Sequence, residues 1–189
     1  MRFSKYAIKI FLAVFVAVAL CVPMVGCMGS QSTNASADKE LAAKLDPVEA
    51  NKQYMATVNG KASELAHELS NFSDYVAKAD GVNVKLVVDR AGAILDSIKQ
   101  TEAPEQMKDI HASYCDAIDN LKSALTSYAE VFSANVSNLE NGSLSAEDEA
   151  KLKDAQDKYD KSVESFNKAD EAAKSDESLF SKNVSNAKK

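Results

Sequence analysis

The spacing of apolar residues between positions 46 and 175 most constrains what this chain can fold into. These residues recur at steps of three and four through this stretch, which places them on one side of an α-helix. The chain contains only six glycines and three prolines in 189 residues, so little in it interrupts a helix. The pattern predicts an all-α protein.

The first helix is predicted to begin at Asp46-Pro47-Val48-Glu49. Asp46 can cap free backbone amides, proline suits the first helical position, and Glu49 follows three residues after the cap. We expect this helix to run through Asn59-Gly60, because the stripe keeps its phase there, and to reach about Ala79 with Gly81 as its stop. Its predicted buried face is Val48, Met55, Val58, Ala62, Leu65, Leu69, Phe72 and Val76.

A second, shorter helix is predicted from a cap at Asn83 to about Thr101, since Pro104 disfavours helix just before it. The β-branched run from Val84 to Val88 could form a strand, but the sequence offers no partner strand elsewhere. We therefore expect a helix whose buried face is Val84, Val87, Val88, Ala91, Ile94, Leu95 and Ile98.

Two longer helices complete the predicted fold. The third is expected to open at Pro104 and to stop at Asn141-Gly142, and the fourth to begin at a capping box formed by Ser145 and Asp148. The third buries Met107, Ile110, Tyr114, Ile118, Leu121, Leu125, Tyr128, Phe132 and Leu139, and the fourth buries Leu152, Ala155, Tyr159, Val163 and Phe166.

Four helices with short connections predict an up-and-down antiparallel bundle over residues 46–175. Because the second helix is about half the length of the others, we expect one end of the bundle to hold three helices and to leave room for a groove. Residues 27–45 are expected to form a flexible tether. Residues 176–189 are expected to form a polar tail, apart from Leu179, Phe180 and Val184.

The first 26 residues have the layout of a secretory signal. Arg2, Lys5 and Lys9 form a basic start, the run from Ile10 to Val22 is apolar, and Pro23 ends it. An uncleaved membrane anchor is the main alternative, because the apolar stretch is about long enough to cross a thin bilayer. The residues that follow Pro23 decide between the two.

Met24-Val25-Gly26-Cys27 resembles the lipobox of bacterial lipoproteins, although Met24 replaces the usual leucine. Cys21 does not fit this pattern, because the Leu20 before it is too large. The resemblance implies cleavage between Gly26 and Cys27, a diacylglyceryl group on the Cys27 thiol and an anchor on the extracytoplasmic face of a membrane. This is the outer membrane if the organism has one and the protein is sorted to it. Two or three acyl chains make such anchoring stable, at roughly 0.8 kcal/mol per buried methylene.

The charge of the cleaved chain narrows the range of partners. Residues 1–26 contain three of the 22 basic residues and none of the 28 acidic ones, so their removal changes the net charge from −6 to −9. Such a surface argues against a nucleic-acid partner, which needs clustered lysine and arginine. It also argues against adhesion to anionic lipid by charge alone.

Met107, His111 and Cys115 form the candidate metal site. They are spaced four residues apart, so their side chains stack along one side of the third helix, and their soft donors suit Cu(I) or Zn. Three donors in line cannot surround an ion, so a second helix must contribute, and Met55 is a candidate. The alternative is that His111 is a partly buried, hydrogen-bonded side chain.

Other chemical roles are possible at Glu64, His67 and Cys115. Glu64 and His67 have the Glu-x-x-His spacing of di-iron bundles, but such sites need two of these motifs, and His67 falls on the outward face. Cys115 cannot form an internal disulfide once Cys21 is removed and Cys27 is lipidated. It is either a small residue on a helix or a thiol that links two copies of the chain.

The sequence contains no nucleophile elbow, glycine-rich phosphate loop, zincin motif or calcium loop. We therefore expect neither an enzyme nor a resident cofactor. The leading hypothesis is a non-enzymatic envelope module that presents a face or groove to a partner protein, a wall component or itself. The alternative is a carrier of a small ligand or metal that uses the bundle interior or its open end.

Overall fold

The computed structural model describes residues 46–141 and 144–181. The signal segment, Gly26, Cys27 and the predicted tether lie outside the described residues. The described part contains no strand, so the prediction of an all-α fold is confirmed. Its four α-helices are α1 (Pro47–Ala77), α2 (Gly81–Lys99), α3 (Lys108–Asn141) and α4 (Ala146–Ser175), with single 3₁₀ turns at Glu105–Met107 and Glu177–Leu179.

Two of the helix starts are those that the sequence predicts. The Asp46 carboxylate accepts a hydrogen bond from the backbone N–H of Val48 at 3.1 Å, with Pro47 in the first helical position. The Ser145 hydroxyl accepts one from the backbone N–H of Asp148 at 3.1 Å. Each cap satisfies an amide that has no partner within its own helix. Helix α1 is continuous through Asn59 and Gly60.

The reversal between α1 and α2 differs from the prediction. Helix α1 ends at Ala77, and Ala79 takes the left-handed conformation with φ of 55°. The backbone N–H of Asp80 then donates to the carbonyl of Tyr75 at 2.9 Å, the closing bond of a Schellman motif. Gly81 is therefore the first residue of α2 rather than the stop of α1. The cap of α2 is Asp80, whose carboxylate accepts from the backbone N–H of Asn83 at 3.1 Å.

Helix α3 also departs from the prediction at one position and contains a kink. Pro104 precedes a single 3₁₀ turn, and the α-helix itself begins at Lys108. Asn135 has non-helical backbone angles (φ −121°, ψ 15°) inside the helix. Its side-chain amide donates to the Val131 carbonyl at 3.0 Å and to the Asp148 carboxylate at 3.2 Å. The kink is thus tied to the first turn of α4.

One contiguous hydrophobic core runs through the described helices. Helices that are consecutive in sequence pack against each other, and the contact between α3 and α4 is the most extensive. Three alanines of these two helices, Ala117, Ala124 and Ala155, are fully buried. Val84, Val87, Ala91, Leu95, Met107 and Ile118 are also fully buried. The core residues among those described lie between positions 54 and 180.

The end of the bundle beyond the short α2 is closed rather than open. Both 3₁₀ turns pack there against α1, and the C-terminal one also contacts α4. Met107 and Leu179 are buried, at 0% and 5% exposure. The groove predicted from helix lengths is therefore filled. Residues 176–181 belong to the folded domain instead of the predicted polar tail, because Leu179 packs into the core.

A buried asparagine holds this closure together. Asn51 is fully buried, and its side-chain amide donates to the Gln106 side-chain oxygen and to the Leu179 carbonyl, both at 2.9 Å. One side chain of α1 thereby joins the segment before α3 to the segment after α4. None of the described helices is long and apolar enough to cross a bilayer.

Candidate functional site: the Tyr54–His111–Cys115 cluster

The three predicted metal donors all lie on the first turns of α3 and the 3₁₀ turn before it. Met107 is fully buried, whereas His111 and Cys115 are half-buried on the same side of the helix. Their spacing of four residues brings the His111 ring to the Cys115 sulfur, with Nε2 3.4 Å from Sγ. His111 and Cys115 are thus in contact, whereas Met107 is part of the hydrophobic core.

The other ring nitrogen of His111 is engaged by α1. Its Nδ1 lies 2.8 Å from the Tyr54 hydroxyl, and the two rings meet edge to face with centroids 5.8 Å apart. When Tyr54 donates to Nδ1, the ring proton is on Nε2 and points at the Cys115 sulfur. In the opposite tautomer, the Cys115 thiol donates to Nε2. Both nitrogens therefore have partners, which confirms a partly buried, hydrogen-bonded His111.

Tyr54 is the member of this cluster that the sequence prediction missed. The predicted stripe of α1 passes through Met55, which is only partly buried, while Tyr54 is 4% exposed. The sequence does indicate that Tyr54 is buried, because it lies four residues before Val58 and therefore on the same side of the helix as Val58. The cluster is thus a polar contact between α1 and α3.

Burial disfavours the ionised form of the two acidic groups of the cluster. It raises the pKa of the Tyr54 phenol far above its usual value. It also raises the pKa of the Cys115 thiol, an effect that the Lys99 ammonium opposes and the Asp119 and Asp116 carboxylates reinforce. Since the thiolate is the reactive form of cysteine, this environment disfavours a nucleophilic or metal-binding role.

We expect Cys115 to react slowly with alkylating agents at neutral pH. A protein comprising residues 28–189 contains Cys115 as its single cysteine, so the rate of iodoacetamide labelling reports this thiol alone. The pH midpoint should lie above that of the same protein unfolded in urea, because burial is lost there. Lys99→Met should move the midpoint higher still, since Lys99 favours the thiolate. A folded-state midpoint at or below the unfolded one would contradict this account.

Metal binding at Met107, His111 and Cys115 stays a prediction. An ion would have to break a hydrogen bond of His111. It would also have to displace the proton of the Cys115 thiol, whose pKa is raised by burial. Within residues 46–141 and 144–181, no three histidine, cysteine, aspartate or glutamate side chains lie close enough to share an ion. The cluster is therefore best explained as a structural junction.

The remaining candidates lie on the surface. Glu64 and His67 are both exposed on α1, as expected from the helical phase. A solvent-open depression of about 410 Å³ between α3 and α4 mixes acidic and basic side chains, among them Asp119, Glu164 and Lys168. A second open depression, of about 520 Å³, lies beside the first turns of α2 and has a mainly apolar lining that includes Val82, Leu86 and Val136.

Comparison with known proteins gives no further assignment. No protein-family model, no curated protein and no solved structure matches this chain.

Proposed function

We propose that this protein is a bacterial lipoprotein, anchored to the extracytoplasmic face of a membrane through lipid on Cys27. Its helical bundle is a non-enzymatic binding or structural module of the cell envelope. The observation that carries the proposal is the sequence Met24-Val25-Gly26-Cys27, placed directly after a basic start and an apolar run.

The folded part of the chain supports this division of roles. Among the described residues, the core of the bundle runs from position 54 to position 180. Its first helix begins at Pro47, well separated from Cys27 along the chain. As a flexible coil, residues 28–45 would span about 20–25 Å, which is enough to hold a domain clear of the lipid headgroups.

The interior of the bundle favours a module over a carrier. The side chains that line the helix contacts are almost fully buried and pack into one cluster. Both depressions described above open to solvent instead of enclosing a ligand. Small-molecule sites usually bury most of their ligand. This packing agrees better with a binding module, whose outer helix faces contact a partner protein or wall component, than with a carrier.

Limited proteolysis of isolated membranes tests the proposal. Trypsin at low concentration should cut after Lys39 or Lys44, in the predicted tether, faster than within the helices, because folded backbone resists cleavage. We expect a soluble fragment that begins at Glu40 or Leu45 and reaches at least Ser181. The short N-terminal piece should stay with the membrane.

A matched control uses the variant Lys39→Gln/Lys44→Gln, which removes both tether sites and should slow the release strongly. If the cleaved bundle instead stays with the membrane, a surface other than the lipid holds it there and the proposed anchoring is wrong. Fragments cut mainly inside α1 to α4 would contradict the proposed arrangement of an accessible tether and a folded module.

A further inference from the structure

An apolar patch lies on the outer face of α2, at the end of the bundle remote from Pro47. Val82 and Leu86 are the large apolar residues that the described chain leaves exposed, at 81% and 47%. They are four residues apart, so they lie on the same side of the helix. With Val136 of α3 they line the open depression of about 520 Å³. Contiguous exposed apolar surface commonly marks an interaction site.

The patch is held on a fixed platform. The Ser133 hydroxyl donates to the Gly81 carbonyl at 3.0 Å. A Cβ at Gly81 would lie 3.2 Å from the Ser133 Cα and 3.2 Å from a Val136 methyl, so α2 and α3 are in close contact there. A surface fixed in this way loses little conformational entropy on binding.

Opposite charges flank the patch. Lys85 and Asp89 are exposed on α2 and line the same depression. Neither of them forms an ion pair with a described residue. Two other charged residues of α2 do, since Arg90 pairs with Glu68 of α1 at 2.9 Å and Lys99 pairs with Asp119 of α3 at 2.6 Å. An available cation and anion, four residues apart beside an apolar stripe, can serve a partner with the reverse arrangement.

We propose that this partner is a second copy of the chain, with α2 packed antiparallel against the partner's α2. A two-fold axis near Val87 then places Lys85 opposite the partner's Asp89, and Asp89 opposite the partner's Lys85. The same axis brings Val82 near the partner's Ala93, which is also exposed, and the two Leu86 side chains near the centre. A parallel pair would bring like charges to the same level, so the charges select the antiparallel arrangement.

The small size of the patch sets the strength of the contact. Two apolar side chains from each copy and two ion pairs make an interface below the size of stable complexes, so we expect a weak dimer that forms reversibly with concentration. Surface ion pairs add little energy but decide which orientation is allowed. A test of the proposed orientation should therefore reverse the charges of Lys85 and Asp89.

Sedimentation equilibrium of residues 28–189, under reducing conditions to exclude a Cys115 disulfide, tests the proposal over about 10 µM to 1 mM, the range of weak association. The unmodified protein should dimerise, and Leu86→Lys should lower the dimer fraction at least several-fold. Lys85→Glu and Asp89→Lys should each be monomeric alone, because each brings like charges together. Mixed in equal amounts, these two variants should form a heterodimer, since both ion pairs are then restored in reversed or original sense.

Two results would overturn the proposal. One is an unmodified protein that stays monomeric over the whole concentration range, which would leave the patch to a different partner or to none. The other is a dimer whose formation ignores the Lys85 and Asp89 variants, or whose single variants are not rescued on mixing. Far-ultraviolet circular dichroism of each variant guards against misfolding, and these exposed positions should leave the helix content unchanged.

Discussion

Cells that produce the Cys27→Ala variant should lose the cleaved, membrane-bound form of the protein. Alanine has no thiol to accept the diacylglyceryl group, and in lipoproteins of this type that lipid precedes the cut between residues 26 and 27. The variant should accumulate with residues 1–26 still attached, and no lipid should be incorporated. Metabolic labelling with a fatty acid, followed by membrane fractionation and immunoblotting, measures both effects.

The matched control is Cys21→Ala. Cys21 lies six residues upstream, within the apolar run and outside the proposed lipobox, so its loss should leave labelling, cleavage and membrane association as they were. If Cys27→Ala were still cleaved normally and still membrane-bound, the lipoprotein proposal would be wrong. Equal loss of labelling in both variants would point to a general defect of export rather than to lipid on Cys27.

Ending the chain after Ser175 should lower the free energy of unfolding by roughly 3–8 kcal/mol. The truncation removes the buried Leu179, whose loss from a core costs about 2–5 kcal/mol as a leucine-to-alanine change does. It also removes a carbonyl that accepts a hydrogen bond from the fully buried Asn51, and an unsatisfied buried amide costs about 1–3 kcal/mol. Urea denaturation followed by circular dichroism measures the change.

A chain that ends after Ser181 is the control, because it keeps every contact described for the C-terminal turn. It should unfold at the urea concentration of the full-length protein. Leu179→Ala should fall between the two, since it keeps the carbonyl that Asn51 needs. If both truncations unfold alike, the C-terminal turn does not stabilise the bundle and its packing on α1 is not present in solution.

The regular parts of the fold were predictable because local signals decide them. The Asp46 and Ser145 caps fix the starts of α1 and α4, and the apolar stripes mark most of the buried residues of the helices. The α1–α2 reversal was not predictable in detail. Asp80 and Asn83 are both good caps, and the choice follows from Ala79, which adopts a left-handed conformation that glycine usually takes. Whether Asp80 or Asn83 caps α2 therefore depends on how α1 and α2 pack together.

The polar contacts between helices were the least predictable. Spacing alone brought His111 to Cys115, because both lie on one helix, but it could not pair His111 with Tyr54 of α1. In the same way, Tyr114 donates to the buried Asp170 at 2.7 Å across the α3–α4 contact, and nothing local marks this pair. The filled end of the bundle follows from Asn51 and Leu179, which are 128 positions apart.

The mass of the N-terminal peptide tests the central claim most directly. Protein extracted from membranes with detergent and digested with trypsin should yield the peptide from Cys27 to Lys39, heavier than its amino-acid mass by the attached lipid. Reagents that add a label to free thiols should leave this peptide unlabelled. An unmodified peptide that runs from Ile10 to Lys39 would show that the signal is retained and that Cys27 carries no lipid, which would contradict the account.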